Sequence, residues 1–313
     1  MILKKPKFWD SKISFYSIIL YPFTLLVMLG IFFKKTFIKP IQFNLPIICV
    51  GNIYLGGTGK TPVSILLGNE LIKLGRKPVI MRKYYKDQLD EHNLIKANFR
   101  NLILDEDRVN GIQKAKQDNY DSVILDDGFQ DYKIKKDLNI VCFNTNQLVG
   151  NGLVLPSGPL RESLKSLDNA HIVLLNGDKN KEFEKEILNT NNSLKIFYSY
   201  YRPVNIQQFE NKKLLALAAI GNPNNFFNLL ENHNLNIKKK LFYPDHYKFS
   251  KNEITNILNY AEKQNYHIVM TEKDYFKFNT NKISELNYLK VSLQIDDLEE
   301  LIKTINDLYA KKI

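Results

Sequence analysis

Hydrophobic and polar positions divide the chain into stretches of different period. From Ile13 to Phe33 the sequence ISFYSIILYPFTLLVMLGIFF carries no charged side chain. About 18 such residues are enough to cross a bilayer as a helix. Beyond it, short apolar runs bounded by turn residues alternate with helically spaced segments. Residues 45–50, 78–81, 122–127, 139–143 and 171–175 read as buried strands, while Val63, Leu66, Leu67, Leu71 and Leu74 recur at the spacing of one helix face. Strands alternating with helices predict an α/β fold with a mostly parallel sheet, whose ligand lies at the carboxyl ends of the strands. Farther on, 214–220, 268–270 and 288–295 read as strands of a second group, and a helix over 298–308 closes the chain.

The charge-free segment has lysines on both sides: Lys4, Lys5, Lys7 and Lys12 before it, Lys34, Lys35 and Lys39 after it. Positive charge on both flanks sets no orientation. Its length, Pro22 and the Lys-Lys pair that follows argue against a cleaved secretory signal. A buried core helix, a single span and a helix lying in the interface all remain. Phe8, Trp9, Phe15, Tyr16, Tyr21 and Phe23 crowd one end beside the lysines, which suits the headgroup boundary of an anionic leaflet. The expectation is a protein held at a membrane, either peripheral or anchored by this helix.

Composition narrows the partners. The 313 residues suffice for two domains, and 44% hydrophobic residues exclude wholesale disorder. Two cysteines cannot build a disulfide framework or a four-ligand zinc site; Cys49 and Cys142 sit in apolar runs and read as buried thiols. With 44 Lys+Arg against 33 Asp+Glu, the net charge of +11 admits nucleic acid, an anionic membrane surface or a phosphorylated substrate. No basic stripe interleaved with aromatics stands out. Lys114, Lys116 and Lys238 to Lys240 read as solvated helix faces, so no nucleic-acid partner is expected.

The chemistry begins after the first strand, with GNIYLGGTGKTPV from Gly51 to Val63. A strand, a glycine-rich loop and a helix opening on Gly-Lys-Thr form the arrangement that cradles phosphates. Backbone N–H groups of Gly56, Gly57, Thr58 and Gly59 approach the oxygens, Lys60 reaches the terminal phosphates, and the Thr61 hydroxyl ligates magnesium. The strict pattern wants glycine where Tyr54 stands; Gly51, Gly56 and Gly57 stand in for it. An apolar strand ending in Asp126 and Asp127 supplies the carboxylates that a magnesium-ATP site needs opposite its loop. Thr271-Glu272-Lys273-Asp274 resembles a guanine-reading motif, but its lysine falls one place late, so ATP is preferred to GTP. These features specify a P-loop phosphotransferase or NTPase.

Segments spread along the chain resemble the tetraacyldisaccharide 4'-kinase family of lipid A biosynthesis: GGTGKTP (Gly56 to Pro62), LDDGFQ (Leu125 to Gln130), LPSGPLRE (Leu155 to Glu162), AIGNPNNFF (Ala219 to Phe227), PDHYKF (Pro244 to Phe249) and TEKD (Thr271 to Asp274). The resemblance implies transfer of the ATP γ-phosphate to the 4'-hydroxyl of a tetraacylated glucosamine disaccharide 1-phosphate, an anionic lipid, at the cytoplasmic face of the bacterial inner membrane. It also implies two α/β domains with the active site between them. The expected organisation is a membrane-associated helix in 1–40, a P-loop nucleotide domain in 41–208 and a smaller α/β domain in 209–313, acting as a monomer.

Roles follow residue by residue from the same resemblance. Asp126 and Asp127 manage Mg2+, with Gln130 in support. The family's catalytic base corresponds to Asp90 in Leu89-Asp90-Glu91-His92, paired with His246 of Asp245-His246-Tyr247. A carboxylate oriented by a histidine can take the proton of a weakly nucleophilic sugar hydroxyl. Because the two are distant in sequence, domain closure is expected to bring them together. Arg161 is a candidate for phosphate recognition and Asn151 for sugar binding; an ordinary ion pair and a turn asparagine are the plain alternatives. Asp90 by itself reads as a solvated loop residue, and Asp87 is the nearest substitute as base. The chain departs from the family at Met81-Arg82-Lys83-Tyr84-Tyr85, where many members have Ser-Arg-Gly-Tyr-Gly, and at Asp131, where a histidine is common. A P-loop kinase for another small substrate and a membrane-associated P-loop ATPase are the competing functions.

Overall fold

The computed structural model describes residues 6–10, 13–86, 88–245, 247–278 and 286–312. It forms two compact units. One comprises the described residues of Lys5–Tyr84, Phe99–Tyr200 and Leu293–Ile313; the other contains Tyr85–Asn98 and Tyr201–Ser292. The units are thus interleaved in the chain, unlike two consecutive segments divided near residue 208.

In the larger unit, α1 (Phe15–Phe37) opens at Ser14, whose hydroxyl accepts from the Ser17 N–H at 3.2 Å, and runs through Pro22. Its burial is inverted. Ser17 and Thr24 are its buried residues, while Phe15, Ile18, Phe23, Leu26, Phe33 and Phe37 are exposed. Thr24 Oγ1 lies 2.8 Å from Ser157 Oγ and 3.1 Å from the Val154 carbonyl, and accepts from the Ser157 N–H. At its last turn, Lys35 meets the buried Glu162 at 2.6 Å. A core helix would bury its apolar side chains; here only 11% of the most apolar window is buried. Among the described residues α1 alone is long and apolar enough to cross a membrane.

The sheet of this unit is built from β1 (Ile47–Gly51), β2 (Pro78–Lys83), β3 (Leu102–Asp105), β4 (Ser122–Asp126), β5 (Leu138–Asn144), β6 (Ile172–Asn176), β7 (Lys195–Pro203) and β12 (Val291–Ile295), in the order β12-β7-β6-β5-β1-β4-β2-β3. Every neighbouring pair from β7 to β3 is parallel. β1, β4, β5 and β6 are buried along their whole length, the pattern of strands covered on both faces. Helices α2 (Lys60–Lys73), α4 (Arg108–Gln117), α5 (Lys181–Thr190) and α9 (Leu298–Lys312) belong to the same unit. Leu301, Ile305 and Tyr309 give α9 a buried face; Tyr309 Oη reaches Ser122 Oγ at 2.7 Å, and Arg76 covers its ring. That burial assigns the chain's end to the larger unit. The strand order reverses at β1, where the chain's first crossovers go one way and β5 to β7 go the other. The loop after β1 therefore opens at the crevice where α/β sheets bind ligands.

The smaller unit has a four-stranded sheet, β11-β10-β8-β9, with every pair parallel: β8 (Leu214–Ala218), β9 (Ile237–Phe242), β10 (His267–Thr271) and β11 (Asn287–Leu289). It also holds α3 (Leu89–Asn98), α6 (Pro223–Asn232), α7 (Lys251–Gln264) and the single turn α8 (Glu272–Tyr275). Two sequence expectations change here. Lys238 to Lys240 lie on the edge strand β9 and not on a helix, where charged side chains deter pairing with another chain. The run 288–295 is two strands, β11 and β12, that turn at Lys290 and enter different sheets.

Candidate active site

In the larger unit, β1 delivers the glycine loop to the carboxyl edge of the sheet. Gly51 has no room for a side chain: a Cβ there would sit 2.4 Å from Phe129 Cβ, in the turn after β4. Gly59 caps α2 with φ +87, a conformation glycine adopts at no steric cost. The loop is stapled from within by Asn52, whose Nδ2 donates to the Tyr54 carbonyl at 2.7 Å and to Thr58 Oγ1 at 3.0 Å. Tyr54, in the place of the usual glycine, is buried and bridges to Leu160.

Two acidic side chains face the start of α2 with different partners. Asp126 is fully buried; its Oδ2 accepts from Thr61 Oγ1 at 3.0 Å and its Oδ1 from Ser64 Oγ at 3.1 Å, while Arg82 forms an ion pair with it. Asp127 sits at φ +58, with Lys60 Nζ 3.6 Å and Arg161 Nη1 3.0 Å from its carboxylate. Arg108 bonds the Asp127 carbonyl at 2.7 Å and Asp131 at 3.3 Å, so the unusual Asp131 has a partner that holds this turn. Burial pushes the Asp127 carboxyl up, but Lys60, Arg161 and Arg82 outweigh it and hold the group far below the usual carboxylate range. Burial likewise presses the Lys60 ammonium down, and Asp127 opposes it. Both thiols are buried in apolar surroundings, Cys49 pushed up to about 11 and Cys142 to about 12, so neither is a nucleophile at neutral pH.

The segment 150–162 braces this arrangement. The Leu55 N–H donates to the Pro159 carbonyl at 2.8 Å, and the Arg161 N–H to the Ile53 carbonyl at 2.7 Å. Gln130 donates through Nε2 to the Asn52 carbonyl at 2.8 Å, and its Oε1 lies 3.4 Å from Arg161. Its amide thus joins the two halves of the phosphate site. Asn151 donates to the Ser157 carbonyl at 2.9 Å and to Ser17 Oγ at 3.2 Å, and accepts from the Leu153 N–H at 3.1 Å. That is the turn-asparagine arrangement, with both amide hydrogens engaged inside the protein.

The smaller unit carries Asp90 on the first turn of α3, 6% exposed, so it is neither solvated nor in a loop. Lys273 and Lys277 approach its Oδ2 at 3.6 and 3.7 Å. Asp245 belongs to the same unit and shares Lys273 with it. Asp90 and the neighbour of His246 therefore meet within one unit and need no domain closure. His246 itself and the alternative base Asp87 lie outside the described residues.

The sequence profile of the tetraacyldisaccharide-1-P 4'-kinase family matches residues 16–309. The chain belongs to this family. A tetraacyldisaccharide 4'-kinase of Pelagibacter ubique is 40% identical over 99% of this chain and 100% of its own length. One of Francisella tularensis subsp. novicida is 30% identical over 93% and 99%. Among solved structures, that of LpxK from Aquifex aeolicus in complex with ATP has a TM-score of 0.74 at 24% identity, over 94% of this chain and 99% of that one.

Several residues of this tetraacyldisaccharide 4'-kinase fold escape the motif reading. Asn52 and Ser64 carry no signal, because each acts by closing a hydrogen bond across the loop. Arg82 stands in the family's Ser-Arg-Gly-Tyr-Gly place and could have been found there. Glu162, one residue after Arg161, is buried and receives Lys35 from α1, a role legible only once α1 is seen to lie on this segment.

Proposed function

We propose that this chain transfers the γ-phosphate of ATP to the 4'-hydroxyl of tetraacyldisaccharide 1-phosphate. The observation that carries the reading is the pairing, at the start of α2, of Lys60 with Asp127 and of Thr61 with Asp126, in a chain matched to the kinase family over nearly its full length. Phosphoryl transfer asks a protein mainly for positioning and for positive charge around the moving group. Lys60 and Arg161 supply that charge. Asp127 pairs with both, and phosphate oxygens can take its place. The glycine loop contributes backbone N–H groups and the N-terminal end of α2.

The donor set suits magnesium. Thr61 Oγ1 and the Asp126 carboxylate are hard oxygens 3.0 Å apart, and no cluster of three His, Cys, Asp or Glu side chains able to hold a metal exists among the described residues. Such a site matches an ion that keeps water and binds through one or two protein oxygens plus the nucleotide's phosphates. When bound, the ion neutralises charge on the phosphate oxygens. Thr61 and Asp126 would hold it, with Asp127 beside them and Gln130 fixing Arg161 and the loop. Asp90 is the group that takes the 4'-hydroxyl proton, with His246 as its partner. Asn151, whose amide is spent on Ser157, Ser17 and Leu153, is assigned no sugar contact.

The acceptor is a lipid, and the exposed apolar face of α1, with Lys34 in its last turn, suits the cytoplasmic surface of an anionic inner membrane. Replacing Phe15, Phe23 and Phe33 together with serine is expected to shift most of the protein from the membrane pellet to the supernatant in ultracentrifugal sedimentation. Unchanged partitioning would remove α1 as the anchor. Function itself is tested by following label from ATP into lipid. Hydrolysis of ATP that is indifferent to the lipid, with no labelled lipid formed, would favour an ATPase.

A further inference from the structure

We infer that Lys273 is a positioning residue for Asp90, fixing its carboxylate and keeping it ionised; the inference rests on the assignment of Asp90 as the base. Lys273 Nζ lies 2.8 Å from Glu91 Oε1, 3.0 Å from Asp245 Oδ1 and 3.6 Å from Asp90 Oδ2. One ammonium thus joins the first turn of α3 to the residue that precedes His246. Its own seat is rigid. Asp274, next in sequence and fully buried, accepts from Thr271 Oγ1 at 2.7 Å and from the Ala219 N–H at 2.9 Å, which pins α8 to the ends of β10 and β8. Asn98, in the last turn of α3, donates to Glu272 at 3.2 Å, a second tie between α3 and α8.

The charges around Asp90 make this lysine decisive. From its own helix Asp90 has Glu91 and His92 as neighbours; from α8 and the turn after it come Lys273, Asp274 and Lys277, and from the turn after β9 comes Asp245. Lys277 is shared with Asp274, at 2.8 Å, and reaches Asp90 Oδ2 only at 3.7 Å. At 3.6 and 3.7 Å the two ammoniums act on Asp90 as charges more than as hydrogen-bond donors. Removing Lys273 would take from Asp90, Glu91 and Asp245 the one ammonium that all three share, while Lys277 stays with Asp274. The ionised form of Asp90 would be disfavoured, and the base would stay protonated to higher pH.

The test is the pH profile of kcat for full-length Lys273→Met, Lys273→Arg, Glu91→Gln and Asp90→Ala proteins. Lys273→Met is expected to lose roughly 10- to 100-fold in kcat, with KM for ATP little changed, and to move the acid limb up by about one pH unit. Lys273→Arg should return the limb to its wild-type place, a rescue that a packing role would not give. Glu91→Gln removes a like charge and should move the limb down, which keeps the test open if Lys273→Met does not fold. An unshifted limb in Lys273→Met, or in Glu91→Gln where the first cannot be measured, overturns the inference while Asp90→Ala remains inactive. An active Asp90→Ala overturns instead the assignment of the base.

Discussion

Lys60→Met is expected to lower kcat by roughly 10²- to 10³-fold, the loss typical when one preorganised donor is taken from the charge that develops in a transition state. The substitution keeps most of the length of the side chain and removes its charge. Lys60 is the first residue of α2, placed by the left-handed Gly59, with its ammonium 3.6 Å from Asp127. In the variant Asp127 retains Arg161 at 3.0 Å, so the turn after β4 keeps a cation and the fold should survive. KM for ATP should rise as well, because Lys60 meets the phosphates in the ground state as well as in the transition state. Single-turnover kinetics at saturating ATP separate the two effects. A variant that keeps more than about a tenth of wild-type kcat would remove Lys60 from the chemical step.

Asp90→Ala is expected to cost roughly 10²- to 10⁴-fold in kcat, the usual contribution of a general base, and to leave ATP affinity nearly unchanged. The split matters, because a misfolded variant would lose both. Asp90 is buried between two lysines, and its removal leaves Lys273 paired with Glu91 and Asp245 and Lys277 with Asp274. None of those ammoniums is stranded, so the smaller unit has no cause to unfold. Asp90→Asn is the closer isostere and should be equally inactive, since an amide cannot accept the proton. ATP titration by fluorescence beside steady-state turnover reads both quantities. Turnover within about threefold of wild type would move the base elsewhere, with Asp87 the first candidate.

What could be read in advance follows the range of the forces involved. The phosphate loop, the Asp126-Asp127 strand end and the buried strands of the larger sheet depend on local spacing, so sequence displays them. β9 was hidden because three exposed lysines on an edge strand carry no apolar alternation. The split of 288–295 was hidden because a turn at Lys290 leaves the hydrophobic run almost continuous. Asp90 read as solvated because Leu89 to His92 is polar by composition, and its burial comes from α8, far along the chain. The same long-range contact removes the need for closure to join Asp90 with the segment of His246. In α1 the apolar run was plain, but its inversion was not. Which two polar residues turn inward depends on the Val154 carbonyl, Ser157 and Asn151, which no helical periodicity encodes.

The most direct test is to incubate the purified full-length protein with magnesium-ATP and tetraacyldisaccharide 1-phosphate in detergent micelles and to weigh the extracted lipid by mass spectrometry. The expected product carries one added phosphate, placed by fragmentation at the 4'-position. Lipid of unchanged mass, under conditions in which a tetraacyldisaccharide 4'-kinase run in parallel converts its substrate, would contradict the account.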